Sequence, residues 1–422
     1  SRHDNNRVNR RERNSNGKMR TSNLNRLLRH TAPHRFLLLC LPFTASCSEG
    51  SVPEPCAELP TRTVLVYLAG DNNLEEIGRT PELLRQGWKD TGSKCLIYYD
   101  APQAAPKLFA LTIRHSDASS VLETVEEYPE ENSSSAGVFG RVLADVVRKY
   151  PSDSYGLIFA SHGSGWLPCG ALSDPTRTIG DDRTPGTTGG AREMEITDFA
   201  AAIPDHQFDF IIFEACLMSG IEVAYELRNK TDYLLASSAE LLVPGYAPVY
   251  PTAFQYLFDT SLGVPQALEK FAGSYFNYID TRNGAYRSAT QSIVYTREMD
   301  ALAILAGKTT GNTHGRWDDA LLGKLQHFDR PGSYGDIPAR PRYFDFGQYM
   351  AYLAPERQAD LDALLRKTVV WKAATPEFMA GYNGFTILTH SGLTTYIEQD
   401  EFPELNAAYK KTAWWKATHV QK

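Results

Sequence analysis

Phe208-Asp209-Phe210-Ile211-Ile212-Phe213-Glu214-Ala215-Cys216 is an apolar strand that runs into a carboxylate and then a thiol. Upstream, Tyr155-Gly156-Leu157-Ile158-Phe159-Ala160 is a second such strand, and it delivers Ser161-His162-Gly163. Neither run alternates apolar with polar residues, so each reads as a strand buried on both faces. Thr63–Ala69 and Lys94–Tyr99 have the same character, and Tyr233–Ser237 is a fifth run. Between them lie helical spacings at 74–89, 136–149 and 219–229. Apolar strands alternating with helices predict a parallel α/β sheet covered on both faces, a three-layer sandwich. Residues 108–127 add a hairpin, 263–280 and 345–353 helices, 288–296 a strand, 358–373 a helix and 384–389 a strand.

Four segments follow from this pattern: 1–46 a targeting segment, 47–60 a linker, 61–310 the core, and 311–422 an extension packed on it. Residues 1–46 carry ten of the basic side chains and two of the acidic ones. From Met19 a basic stretch (Arg20, Arg26, Arg29, Arg35) leads into Phe36–Phe43 and then Thr44-Ala45-Ser46-Cys47. A basic region, a short apolar region and small residues make an export signal. The apolar run is far short of the roughly 20 residues that span a bilayer. Thr44-Ala45-Ser46-Cys47 resembles a lipoprotein cleavage box, with Thr where Leu is usual, so Cys47 is the candidate lipidation site and plain secretion the alternative. Only through such an anchor would the chain touch a membrane. The remainder is acidic overall, which argues against a nucleic-acid partner. The chain is read as a monomer.

Strand ends are where an open parallel sheet gathers its ligands. If the third and fourth strands are neighbours, His162 and Cys216 emerge on one edge, distant in sequence and close in space, as a cysteine nucleophile and its proton partner require. An isolated cysteine at a strand end is ordinarily a small apolar residue. Two strand ends with these flanks change that reading. The expected roles are Cys216 as nucleophile and His162 as proton donor to the leaving amine. The N–H groups of Gly163 and Cys216 would form the oxyanion hole. A helix expected over 217–229 would put Cys216 at a helix N-terminus, whose partial positive charge favours thiolate.

Glu-Ala-Cys with a histidine about fifty residues upstream is a loose form of the caspase arrangement. Three stretches carry a closer resemblance: Val66-Tyr67-Leu68-Ala69-Gly70-Asp71-Asn72-Asn73-Leu74, Ser161-His162-Gly163-Ser164-Gly165-Trp166, and Phe208 through Ser219. On these the chain resembles the clostripain family of cysteine peptidases over about residues 63–300. The resemblance implies a caspase-like fold, endopeptidase activity, Arg or Lys at P1, and cutting within the loop after the histidine. It implies a substrate-binding role for Glu214, where the family usually has Asp, and for Glu240, which stands alone where the family tends to have consecutive acidic residues. A solvated or capping carboxylate is the alternative for Glu214. Loop 168–192 offers Arg177, Arg183 and Arg192 as self-processing candidates, each of them also readable as an ordinary solvated arginine. No cofactor is required by the sequence. The resemblance allows for calcium, with Asp174, Asp181 and Asp182 at hand but without the spacing of a calcium loop.

A serine hydrolase lacks its G-x-S-x-G elbow here, and a zinc hydrolase its H-E-x-x-H. The alternative from another class is a catalytically degenerate, lipid-tethered binding protein on a peptidase-like scaffold. Cys56, Cys95 and Cys169 are left without a role, with a Cys56–Cys95 or Cys95–Cys169 disulfide open.

Overall fold

A computed structural model describes residues 62–172, 181–183, 193–310, 319–333 and 338–419. All of them fall within one compact unit, Ala57–Lys422. Its centre is a nine-stranded sheet, in spatial order β9-β8-β7-β6-β5-β1-β2-β3-β4. These strands are β1 (Thr63–Ala69), β2 (Lys94–Asp100), β3 (Lys107–Ile113), β4 (Ser120–Glu127), β5 (Tyr155–Ala160), β6 (Phe208–Glu214), β7 (Thr231–Ala236), β8 (Thr290–Tyr295) and β9 (Val369–Ala374). The central five, β2-β1-β5-β6-β7, are parallel, and antiparallel pairs complete both flanks.

The parallel strands are apolar along their centres because both of their faces are covered. Leu65, Tyr67, Leu157, Phe159, Ile211 and Phe213 point into one core, with Val138, Phe139 and Val142 of α2 (Ala136–Lys149). Val64, Val66, Leu68, Ile158, Phe210 and Ile212 point into the other, with Leu84 of α1 (Thr80–Gly87) and Leu268 and Phe271 of a long helix, Val264–Asp280. The result is the expected sandwich of helix, sheet and helix. Ser135 caps α2, accepting from Val138 N–H at 3.2 Å. The helix expected over 74–89 is divided: a 3-10 turn, Glu75–Arg79, precedes α1, and Pro81 sits in the first turn of α1, where its missing N–H costs nothing.

The chain runs from β1 outward to β2, β3 and β4, then returns across β1 to β5 and proceeds the other way. β1 and β5 therefore flank the point where the strand order reverses, which in open α/β sheets is where a ligand crevice forms. Beyond the core, the stretch expected as one helix over 358–373 is a helix, Gln358–Thr368, followed by β9, which pairs antiparallel with β8. The strand expected at 384–389 shortens to Phe385–Thr386, paired with Glu377–Phe378. Aromatic contacts tie the C-terminal residues to the segments that follow β5 and β6: Trp414 packs on Tyr225 with centroids 5.6 Å apart, and Tyr396 and Tyr409 sit 5.2 and 5.0 Å from Trp166.

Candidate active site

β5 pairs with β6 in a register that sets Ala160 opposite Glu214. His162 and Cys216 each lie two residues further on, at the same edge of the sheet. Both line one cleft, with Leu74, Glu76 and Ile77 from the turn after β1 and Leu241, Val243, Pro244 and Gly245 from the loop after β7. His162 is buried and Cys216 half-buried. The loops after β5 and β6 meet backbone to backbone: a Cβ on Gly163 would lie 2.8 Å from Cys216 O and 2.9 Å from Ala215 Cβ. Only glycine permits that approach.

Cys216 does not sit at a helix N-terminus. Leu217 has φ +61°, Leu217 N–H donates to Ala239 O at 2.9 Å, and Ser219 N–H donates to Ser237 O at 3.0 Å. Residues 217–219 thus stay tied to the strand extension beside them, and the helix begins only at Ile221 and ends at Glu226. The helix-dipole argument for a thiolate falls with that geometry. The Cys216 thiol points to Leu241 O, 3.8 Å away.

The imidazole has a defined neighbour. Nε2 of His162 lies 2.7 Å from Oδ1 of Asn73. Asn73 is held out by the turn that ends β1. There Asn72 donates from Nδ2 to Ala69 O (2.8 Å) and Asp181 O (2.9 Å) and accepts from Leu74 N–H at 2.8 Å. Ser161 stitches the same corner, donating from its hydroxyl to Ala69 O at 3.3 Å and accepting from Asp181 N–H at 3.2 Å.

The two acidic residues assigned to the substrate differ in placement. Glu214 lines the cleft, but its carboxylate also has internal partners: Tyr246 N–H at 2.7 Å and the Tyr250 hydroxyl at 2.5 Å. Burial pushes this carboxyl up to about 7, against the opposing pull of those two donors. Gly245, at φ +62°, lets the chain pass the carboxylate, since a Cβ there would sit 2.4 Å from Oε1. Glu240 lies outside the cleft lining. Arg330 grips it with both arms of the guanidinium, Nε to Oε2 at 2.5 Å and Nη2 to Oε1 at 3.0 Å. The pair is nearly fully buried and joins the loop after β7 to the C-terminal part.

Arg177, Arg192 and Cys47 lie outside the described residues. Arg183 is exposed, yet its backbone N–H donates to Asp71 O at 2.7 Å and its Nε to Asp181 at 3.3 Å. A cut there needs the segment to open first. Among the described residues no group of three or more His, Cys, Asp or Glu side chains is placed to hold a metal ion. Asp182 takes the Ser133 hydroxyl at 3.0 Å. Asp174 lies outside the described residues. Cys95 and Cys169 are not bridged to each other. Burial pushes the Cys95 thiol well up, making it inert, and Cys56 lies outside the described residues.

Asn73, Glu76, Tyr250 and Arg330 were not assigned roles by sequence. The Gly-Asp-Asn-Asn turn closing the first strand was the available signal for Asn73, since polar residues at strand ends near a reversal of strand order face the crevice. Nothing local marks Tyr250 or Arg330.

The model of the clostripain family matches residues 66–305. Clostripain of Hathewaya histolytica is 26% identical over 290 residues, covering 61% of this chain and 52% of clostripain. The chain thus spans about half the length of the curated relative it matches. Among solved structures, an inactive zymogen C11 protease from Parabacteroides distasonis superposes with a TM-score of 0.70 at 29% identity, covering 86% of this chain and 99% of that one. A secreted C11 cysteine protease from Bacteroides thetaiotaomicron, in complex with an irreversible peptide inhibitor, superposes at 0.71 with 26% identity, covering 85% and 98%. A sheet with this strand order, a cysteine and a histidine at one rim and a family match over more than half of the sequence lead to one conclusion: the chain belongs to the clostripain family of cysteine peptidases.

Proposed function

We propose that the chain is an exported endopeptidase that cuts peptide bonds after Arg or Lys through Cys216 and His162. The observation that carries this is the β5–β6 register, which sets both side chains two residues beyond a paired Ala160 and Glu214 in one cleft. His162 takes the thiol proton as Cys216 Sγ attacks the carbonyl carbon. The oxygen of the tetrahedral intermediate takes hydrogen bonds from the N–H groups of Gly163 and Cys216; one such donor is worth ~3 kcal/mol of transition-state stabilisation. His162 gives a proton to the departing amine, leaving a thioester. Water then attacks the thioester with His162 as base, releasing the acid and restoring the thiol.

Glu214, turned into the cleft wall, reads the cationic side chain, and a bound guanidinium would draw its carboxyl into the ionised form. Self-processing in loop 168–192 falls to Arg177 or Arg192 ahead of the pinned Arg183. The zymogen state of the Parabacteroides distasonis relative supports a processing step. Export rests on the segment from Met19 to Ser46 and on the secreted relative. Lipidation of Cys47 would tether the 61–310 core, with 311–422 packed on it, through the 47–60 linker. No helix among the described residues is long and apolar enough to cross a membrane.

The test is cleavage of a peptide library by wild type and Cys216→Ala. Cuts after Arg or Lys that vanish in the variant are expected. Equal activity in both would end the assignment to Cys216, and cuts after acidic residues would overturn the role of Glu214.

A further inference from the structure

We infer that Asn73 is a positioning residue for His162, acting through the imidazole and not on the substrate. The inference rests on the Cys216/His162 reading. Its geometric basis is the 2.7 Å contact between Asn73 Oδ1 and His162 Nε2. A carbonyl oxygen only accepts, so this contact requires a proton on Nε2. In the neutral ring that leaves Nδ1 with the lone pair, the state needed to exchange a proton with a thiol or an amine in the cleft. When the ring is protonated, the same oxygen stabilises the imidazolium. In a site of this type, the base needs a third group to fix its tautomer and orientation.

The surroundings suit this use. Asn73 is exposed and its neighbour Asn72 is buried. Asn72 makes the three hydrogen bonds that shape the turn, so the frame is carried by one asparagine and the next is left to face the ring. The turn follows β1, the strand at which the sheet order reverses, and the histidine and cysteine follow the next two strands along. Three consecutive strands of the sheet thus each deliver one polar group to the same corner.

The experiment measures kcat, KM and the pH profile of kcat/KM for an Arg peptide with the full chain, comparing wild type, Asn73→Ala, Asn73→Asp and Cys216→Ala. Thermal unfolding is recorded for each. Asn73→Ala is expected to lower kcat about 10- to 100-fold with KM within about twofold, the size of loss typical when a histidine loses its orienting partner. Asn73→Asp, which keeps an acceptor oxygen for Nε2, is expected to recover most of that loss. By placing a negative charge on the ring, it should move the alkaline limb up by about one pH unit. An unchanged kcat in Asn73→Ala, with Cys216→Ala inactive, overturns the inference alone. So does an Asn73→Asp enzyme as slow as Asn73→Ala with an unmoved profile, which would leave the residue a turn former only. Full activity in Cys216→Ala removes the reading on which the inference stands.

Discussion

Glu214 carries a prediction that separates charge from shape. Its carboxyl is pushed up to about 7, so the free enzyme holds it about half ionised at neutral pH. An arginine side chain gains from that charge, whereas citrulline, its uncharged isostere, does not. The ratio of kcat/KM for P1 Arg over P1 citrulline should therefore rise about tenfold per unit below pH 7 and level off above it. Because kcat/KM reports the free enzyme, Cys216 and His162 affect both substrates alike and cancel in the ratio. Tyr250→Phe sharpens the test. It removes the hydroxyl that donates to Oε2 at 2.5 Å, a hydrogen bond to a charged group worth about 1.5–3 kcal/mol. That moves the carboxyl up by about one to two units, and the ionised fraction at pH 7 falls to roughly 1–10%. The ratio at pH 7 should drop about 5- to 50-fold and return near pH 9. Stopped assays on paired fluorogenic peptides from pH 5.5 to 9.5, with circular dichroism as a folding control, measure it. A flat ratio in the wild type, or an unmoved midpoint in Tyr250→Phe, would refute the role of Glu214.

Arg330→Ala should strip a buried carboxylate of its partner and cost about 3–5 kcal/mol in urea melts, while the double change with Glu240→Met should restore much of it. A melt unaffected by Arg330→Ala would show that the pair holds nothing. Gly163→Ala forces a Cβ to within 2.8 Å of Cys216 O, so peptidase activity should fall by two orders of magnitude or more; a variant retaining wild-type kcat would contradict the backbone-to-backbone packing. Glu222 is buried, accepts from Tyr396 N–H at 2.9 Å and the Thr395 hydroxyl at 3.0 Å, and has its carboxyl pushed by burial to about 7. The native state then binds more protons than the unfolded one between about pH 4.5 and 7, so stability falls as pH rises through that window. Glu222→Gln should flatten that slope and raise the melting midpoint at pH 8, and a midpoint lowered equally at pH 5 and pH 8 would count against it.

The parallel strands were legible because burial on both faces leaves their centres apolar, with polar residues confined near the ends. β1, β5 and β6 read as near-continuous apolar runs, and the rim that carries His162 and Cys216 follows from where those runs stop. The stretch after Cys216 was misread for a physical reason. Leu217, Met218, Ile221, Val223 and Ala224 have helical spacing, but they are apolar because every side is packed. The backbone of 217–219 is claimed by residues 237–239, a partner that lies beyond any local window. β9 was hidden in the same way: Val369–Ala374 continues the pattern of the preceding helix and becomes a strand only because β8 offers a free edge. The Glu240–Arg330 pair joins residues ninety positions apart and leaves no trace in local composition. A charge near the site could be read from the sequence, but not whether it was already spent.

The most direct measurement is the site and rate of labelling by an irreversible inhibitor that presents arginine at P1, read by peptide mass spectrometry in wild type and His162→Ala. Stoichiometric modification of Cys216, slowed at least a hundredfold in His162→Ala, is the expected result. An adduct on Cys169, or equal rates at Cys216 with and without the imidazole, would contradict the pairing of these two side chains.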